Sequence, residues 1–187
     1  MRALGLILIT VVACQRSEPP PPPPSAESLE EVERLLDEAR SKLKQFDVIG
    51  AREDFRILDD EMVARGTPVA LRVKVCELRT QLEQATDFLD AEGALPWLDR
   101  CAKVASEELY PDQRLAILTI RAEAKLRAGK DGWAPDLDEA VDLATRTGVG
   151  GNVTRMQHLR HLVDYLDGHQ QRGAAKHLGA RLAAIAN

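Results

Sequence analysis

Aromatic residues make up only 4% of the 187-residue chain: three Phe, two Tyr and two Trp. That scarcity excludes the aromatic-rich cores of β-sandwiches, so the interior must be built from Leu, Val, Ile and Ala, as in helical bundles and solenoids. No stretch alternates apolar and polar residues with period two for long enough to make a strand. Basic side chains are short as well, 25 against 30 acidic, with a net charge of −5. Phosphate neutralisation by clustered Lys and Arg is therefore missing, which argues against a nucleic-acid partner. The one long apolar run, Ala3 to Ala13, has little more than half of the ~20 residues that a membrane span requires.

Cysteine is equally sparse, with Cys14, Cys76 and Cys101 making up the whole complement. Cys76 and Cys101 each fall within a helical apolar pattern. Two readings stay open: a disulfide, in an oxidising compartment, or two buried small hydrophobes.

The N-terminal stretch has the layout of a secretory leader, with Arg2, the apolar run and a small residue at its end. Val11-Val12-Ala13-Cys14 resembles the lipobox of bacterial lipoproteins. That resemblance implies cleavage after Ala13, acylation of Cys14 by palmitate-type chains and, with Gln15 next in line, an outer-membrane anchor facing the periplasm. An ordinary secretory leader with an incidental Cys14 is the alternative. The expected organisation is a signal peptide at 1–13, a lipidated, proline-rich tether at 14–27 and a helical-repeat domain at 28–187. Pro19 to Pro24 favours extended polyproline II, a semi-rigid spacer at about 3.1 Å per residue. A ligand for a proline-recognition domain is the other use of such a run.

From Ser28 onward the periodicity is helical. Ser28 and Glu31 form a capping box ahead of a stripe through Val32, Leu35, Leu36, Ala39 and Leu43. A second helix carries Ala51, Phe55, Leu58 and Met62 and stops at Gly66. Thr67 and Pro68 read as N-cap and N1 of a third, whose apolar positions run from Leu71 to Leu89 and end before Gly93. A fourth starts near Pro96 and packs Leu98, Cys101, Ala105 and Leu109. A fifth runs from about Asp112 through Leu115, Leu118, Ala122 and Leu126. After a break from Gly129 to Pro135, a sixth spans Asp136 to Thr147. The seventh is capped by Asn152 and ends before Gly168. The eighth starts near Gln170, with Gly173, Gly179 and Ala183 as small residues for close approach.

The expected fold is therefore all-α: about eight helices in four antiparallel hairpins, forming an α-solenoid or an irregular bundle. Hairpin starts at Ser28, Thr67, Pro111 and Asn152 are 39, 44 and 41 residues apart, the near-constant period of stacked helix pairs. Ala39, Ala51 and Phe55 are similar to the small, small and aromatic positions of a tetratricopeptide repeat. Ala122, Gly129, Ala140 and Ala144 resemble the same pattern with residues inserted around Trp133.

Candidate chemistry is thin. His158 and His161 are three apart with Asp164 one turn on, but no third ligand or His-Glu-x-x-His motif accompanies them, so no metal site is expected. Asp136, Asp138, Glu139 and Asp142 lie at a helix start, where carboxylates complement the macrodipole, and their order is wrong for a calcium loop. Asp59-Asp60-Glu61 and Glu107-Glu108 read as solvated acids. Gly148 to Asn152 lacks the Gly-Lys-Ser/Thr of a P-loop. No cofactor and no catalytic residue are expected. The reading is a lipid-anchored, non-catalytic scaffold for protein–protein contact in a bacterial envelope, attached to the membrane through Cys14 and serving envelope proteins whose identity the sequence does not specify. Two alternatives accompany it: an envelope enzyme acting on peptidoglycan or glycan through a carboxylate pair, and a small-ligand or metal-binding bundle.

Overall fold

The computed structural model describes residues 26–64, 67–106, 109–147, 153–169 and 171–185. Val11 to Cys14, Pro19 to Pro24, Gly66, Glu107-Glu108, Gly148 to Asn152 and Gln170 lie outside them. So do the side chains of Ser28, Asp59 to Met62 and His158. The fold is all-α. Eight helices follow in order: α1 Ala26–Lys44, α2 Val48–Ala64, α3 Val69–Ala85, α4 Ala91–Val104, α5 Pro111–Arg127, α6 Trp133–Thr147, α7 Val153–Gly168 and α8 Arg172–Ile185. The described residues contain no strand.

The helices pair as α1–α2, α3–α4, α5–α6 and α7–α8, and the odd-numbered helices also pack in series, α1 on α3, α3 on α5 and α5 on α7. The core is correspondingly serial. One cluster joins α1, α2 and α3 around Leu36, Phe55, Leu58 and Leu82. A second joins α3, α4 and α5 around Trp97, Leu98, Ile117 and Ile120, and a third carries Leu159, Leu162, Leu166, Leu178 and Leu182 of the last two helices against α5 and α6. Ala39, Ala51, Ala122 and Ala140 are fully buried where helices approach closely. The Cys76–Cys101 disulfide staples α3 to α4 inside the second cluster.

One turn design is used four times. The first helix of each hairpin closes with an N–H donating to the carbonyl five residues back: Asp47 to Lys42, Phe88 to Glu83, Lys130 to Lys125 and Gln171 to Leu166, at 2.8–2.9 Å. These donors are 41, 42 and 41 residues apart, a tighter period than the helix starts indicate. The bond belongs to the Schellman motif, whose C′ residue is left-handed and is normally glycine. Only Gly129 meets that preference; Phe46 and Asp87 occupy the equivalent positions with φ of 60° and 49°. In the first two hairpins the next helix is capped alike, Asp47 accepting from the Gly50 N–H and Asp90 from that of Gly93.

Several sequence expectations shift for local reasons. α1 begins at Ala26, so Ser28 lies inside it and does not start it. Pro68 is the N-cap of α3, not N1, and the buried Thr67 makes no cap bond. α3 ends at Ala85 and α4 starts at Ala91, because Asp90 caps the new helix; Gly93 and Pro96, read as a terminator and a start, both sit within α4. Leu89 is accordingly in the turn and 77% exposed, and Phe88 is buried in its place. α4 stops at Val104, so Leu109 is exposed in the link, and α5 starts with Pro111 at N1. α6 starts at Trp133, with Pro135 in its first turn, and Gly168 closes α7 from within. Of the small residues on α8, Gly179 faces Val163 of α7, whereas Gly173 has open space around it.

Candidate functional site

Asp136, Asp138, Glu139 and Asp142 are tied up in ion pairs. Asp136 is buried and accepts two bonds from Arg121, at 2.6 and 2.9 Å, and a third from Lys125 at 2.8 Å. Glu139 accepts from Arg114, which also donates to the Ala102 and Ala105 carbonyls and so closes the C-terminus of α4. Asp138 and Asp142 share Arg181 of α8. The cluster thus locks α6 to α5 and α8. Among the described residues no group of three or more His, Cys, Asp or Glu is placed to hold a metal ion. His161 is exposed on α7, within electrostatic range of Glu123.

Two buried glutamates carry the unusual electrostatics. Glu83 of α3 is 1% exposed and accepts from Nε of Arg79, one turn earlier, at 2.8 Å. The Arg79 guanidinium lies between the Phe55 ring of α2 and the Trp97 ring of α4, at 5.7 and 5.3 Å from their centroids, within cation–π range. Glu123 of α5 repeats the device with the order reversed: Arg127, one turn later, donates to it at 2.8 and 3.0 Å and lies between Phe88 and Tyr165 at 4.9 and 5.0 Å. Burial pushes the Glu123 carboxyl above the usual carboxylate range against the opposing pull of Arg127.

The first of these sandwiches forms the floor of a groove. α2 and α4 both pack on α3, and between them lies a cavity of about 310 Å³ lined by Arg52 and Arg56 of α2, Arg79 and Glu83 of α3, and Asp90, Gly93, Trp97 and Arg100 of α4 and its cap. Its walls follow helix geometry: Arg52 and Arg56 are four apart, as are Gly93 and Trp97, with Arg100 three further on, so each set falls on one face. Four arginines face two acids there, within a chain that is acidic overall. Nε and Nη2 of Arg52 and Oε2 of Glu83 are buried without a hydrogen-bond partner among the described residues. One turn along the same face of α2, towards the hairpin tip, Ile49 is 84% exposed, and Phe46 at that tip is 87% exposed.

Sequence reasoning missed this groove. The available signal is a glutamate at position 83, directly after Leu82 on the buried side of α3, with an arginine four residues before it. No family model matches the chain, and no curated protein or solved structure does either. The groove is therefore argued from its own chemistry.

Proposed function

We propose that this chain is a non-catalytic helical scaffold of a bacterial cell envelope, anchored by lipid on Cys14 in the outer membrane and facing the periplasm, which docks a partner protein in the groove over α3. The observation that carries the scaffold reading is that groove. It concentrates four arginines and a tryptophan on one face of an acidic chain, and Arg and Trp are the side chains enriched at energetically dominant protein contacts.

The anchor reading rests on Val11-Val12-Ala13-Cys14 and gains support from the disulfide, since such bonds persist in oxidising compartments. Chain direction adds a geometric argument. α1 follows the tether and, at 19 residues, carries the chain about 28 Å before the first hairpin tip. The tip bearing Phe46 and Ile49 thus lies at the end of α1 opposite the start of the domain.

Palmitate labelling of wild type and Cys14→Ala tests attachment: label on the wild type alone is expected, and label on both or on neither contradicts it. Affinity capture with the wild type and with an Arg52→Gln/Arg100→Gln variant tests docking. A protein retained by the wild type and lost by the variant is the expected result; identical recovery by both removes the groove from the account.

A further inference from the structure

We infer that copies of this chain associate through a knob and a slot, with the Phe46 ring of one molecule seated between α6 and α8 of the next. The knob is anomalous within its own fold. Phe46 holds a left-handed backbone, φ 60°, at the turn position that Gly129 fills in the third hairpin. Its ring is 87% exposed. All seven aromatic side chains lie among the described residues, and Phe46 alone is exposed. A phenylalanine kept where glycine is preferred, with its ring in solvent, carries a backbone cost that no burial within the molecule offsets.

The slot lies in the other half of the chain. Between α6 and α8, which pack on each other, is a cavity of about 180 Å³. Buried Leu137 and Leu178 form its floor, half-buried Trp133 and Ala174 its sides, and exposed Asp138 and His177 its rim. An apolar cavity of about 150 Å³ is enough to take up benzene, so the slot has the size and the lining for one phenyl ring. Phe46 is fixed in the α1–α2 turn with that ring in solvent, so the ring that fills the slot comes from a second copy. Charge agrees with the fit. Lys44 stands two residues before the knob and Asp131 two residues before Trp133; both are exposed, and neither makes an ion pair among the described residues. Opposite charges beside knob and slot favour this encounter over others. Because knob and slot are different patches of the surface, the contact is heterologous and can propagate head to tail. It uses neither the groove over α3 nor its arginines.

The test is sedimentation velocity on purified full-length protein, with detergent micelles in excess so that shared micelles do not mimic association. Wild type should gain mass as its concentration rises. Phe46→Gly, which relieves the turn and so preserves the fold, should weaken association about tenfold or more, the scale of losing one buried aromatic side chain. Ala134→Arg, which sets a long side chain over the slot from an exposed position on its edge, should do the same. Neither variant retains both halves of the contact, but together they hold one intact slot and one intact knob. An equimolar mixture should therefore recover a dimer and nothing larger, which only folded variants can give. Wild type that stays monomeric up to its solubility limit, undiminished association of either variant, or a mixture that stays monomeric while both variants keep the wild-type circular dichroism would overturn the inference. None of these results bears on the groove, which capture with Arg52→Gln/Arg100→Gln tests separately.

Discussion

Replacing both Cys76 and Cys101 with alanine should cost the domain a large part of its stability. The bridge joins positions 25 residues apart, and the chain-entropy relation for a loop of that size gives about 3.5 kcal/mol. Both sulfurs are buried in the cluster shared by α3, α4 and α5, so their removal also forfeits packing and places the entropic figure at the lower end of the expected loss. In a domain of this length the corresponding fall in melting temperature is about 7–14 °C. Urea unfolding followed by circular dichroism measures the change directly. Wild type under oxidising conditions should unfold at a clearly higher urea concentration than the double variant, and adding reductant to the wild type should move it towards the variant. A difference below about 1 kcal/mol would refute the argument, because a constraint of this length on the unfolded chain must register above that level. An effect of the full size bears on the groove too, because the α3–α4 pair carries its floor and one wall.

Phe46→Gly should stabilise the domain by about 1 kcal/mol, since it relieves a left-handed non-glycine residue whose ring is exposed and contributes little burial; a lower urea midpoint would contradict this. Glu123 makes stability depend on pH. Its folded-state carboxyl titrates above the ordinary value of 4.5 because of burial, so its favourable contribution is complete below that value and is lost as pH rises through the folded pKa. Glu123→Gln should therefore gain on the wild type as pH is raised across that window, and parallel stability curves would rule this out. Arg121→Met leaves buried Asp136 with Lys125 alone and should cost about 2 kcal/mol. Arg181→Ala, which breaks a more exposed pair of contacts to Asp138 and Asp142, should cost less than about 1 kcal/mol; similar losses for the two would show that burial is not what separates them.

Helix number and order were legible because the apolar stripes repeat at three and four residues and the turns carry Gly, Pro and Asp. Leu35, Leu78, Leu118 and Leu162 are buried where their periodicity placed them. Boundaries were less legible, since the turn design puts left-handed backbone at Phe46 and Asp87, where glycine, the usual signal for it, is absent. The stretch from Thr86 to Pro96 shows the consequence: Leu89 extends the α3 stripe in sequence but faces solvent, while Phe88 folds inward beside Arg127. The groove was harder still to read. Its four arginines lie on three helices, with Arg52 and Arg100 more than 40 residues apart, and no local pattern distinguishes Arg52 or Arg100 from solvated charges. Only the packing of α2 and α4 on α3 brings them to one cavity.

The central claim is that partner docking occurs in this groove and depends on its charge. A photo-crosslinking residue at Ile49, exposed on the groove side of α2, reports on it within intact cells. The account predicts one discrete adduct with a second protein, abolished by Arg52→Gln and absent when the crosslinker is moved to Arg160 on α7. An adduct that survives Arg52→Gln, one formed equally from position 160, or no adduct from Ile49 at all would contradict it.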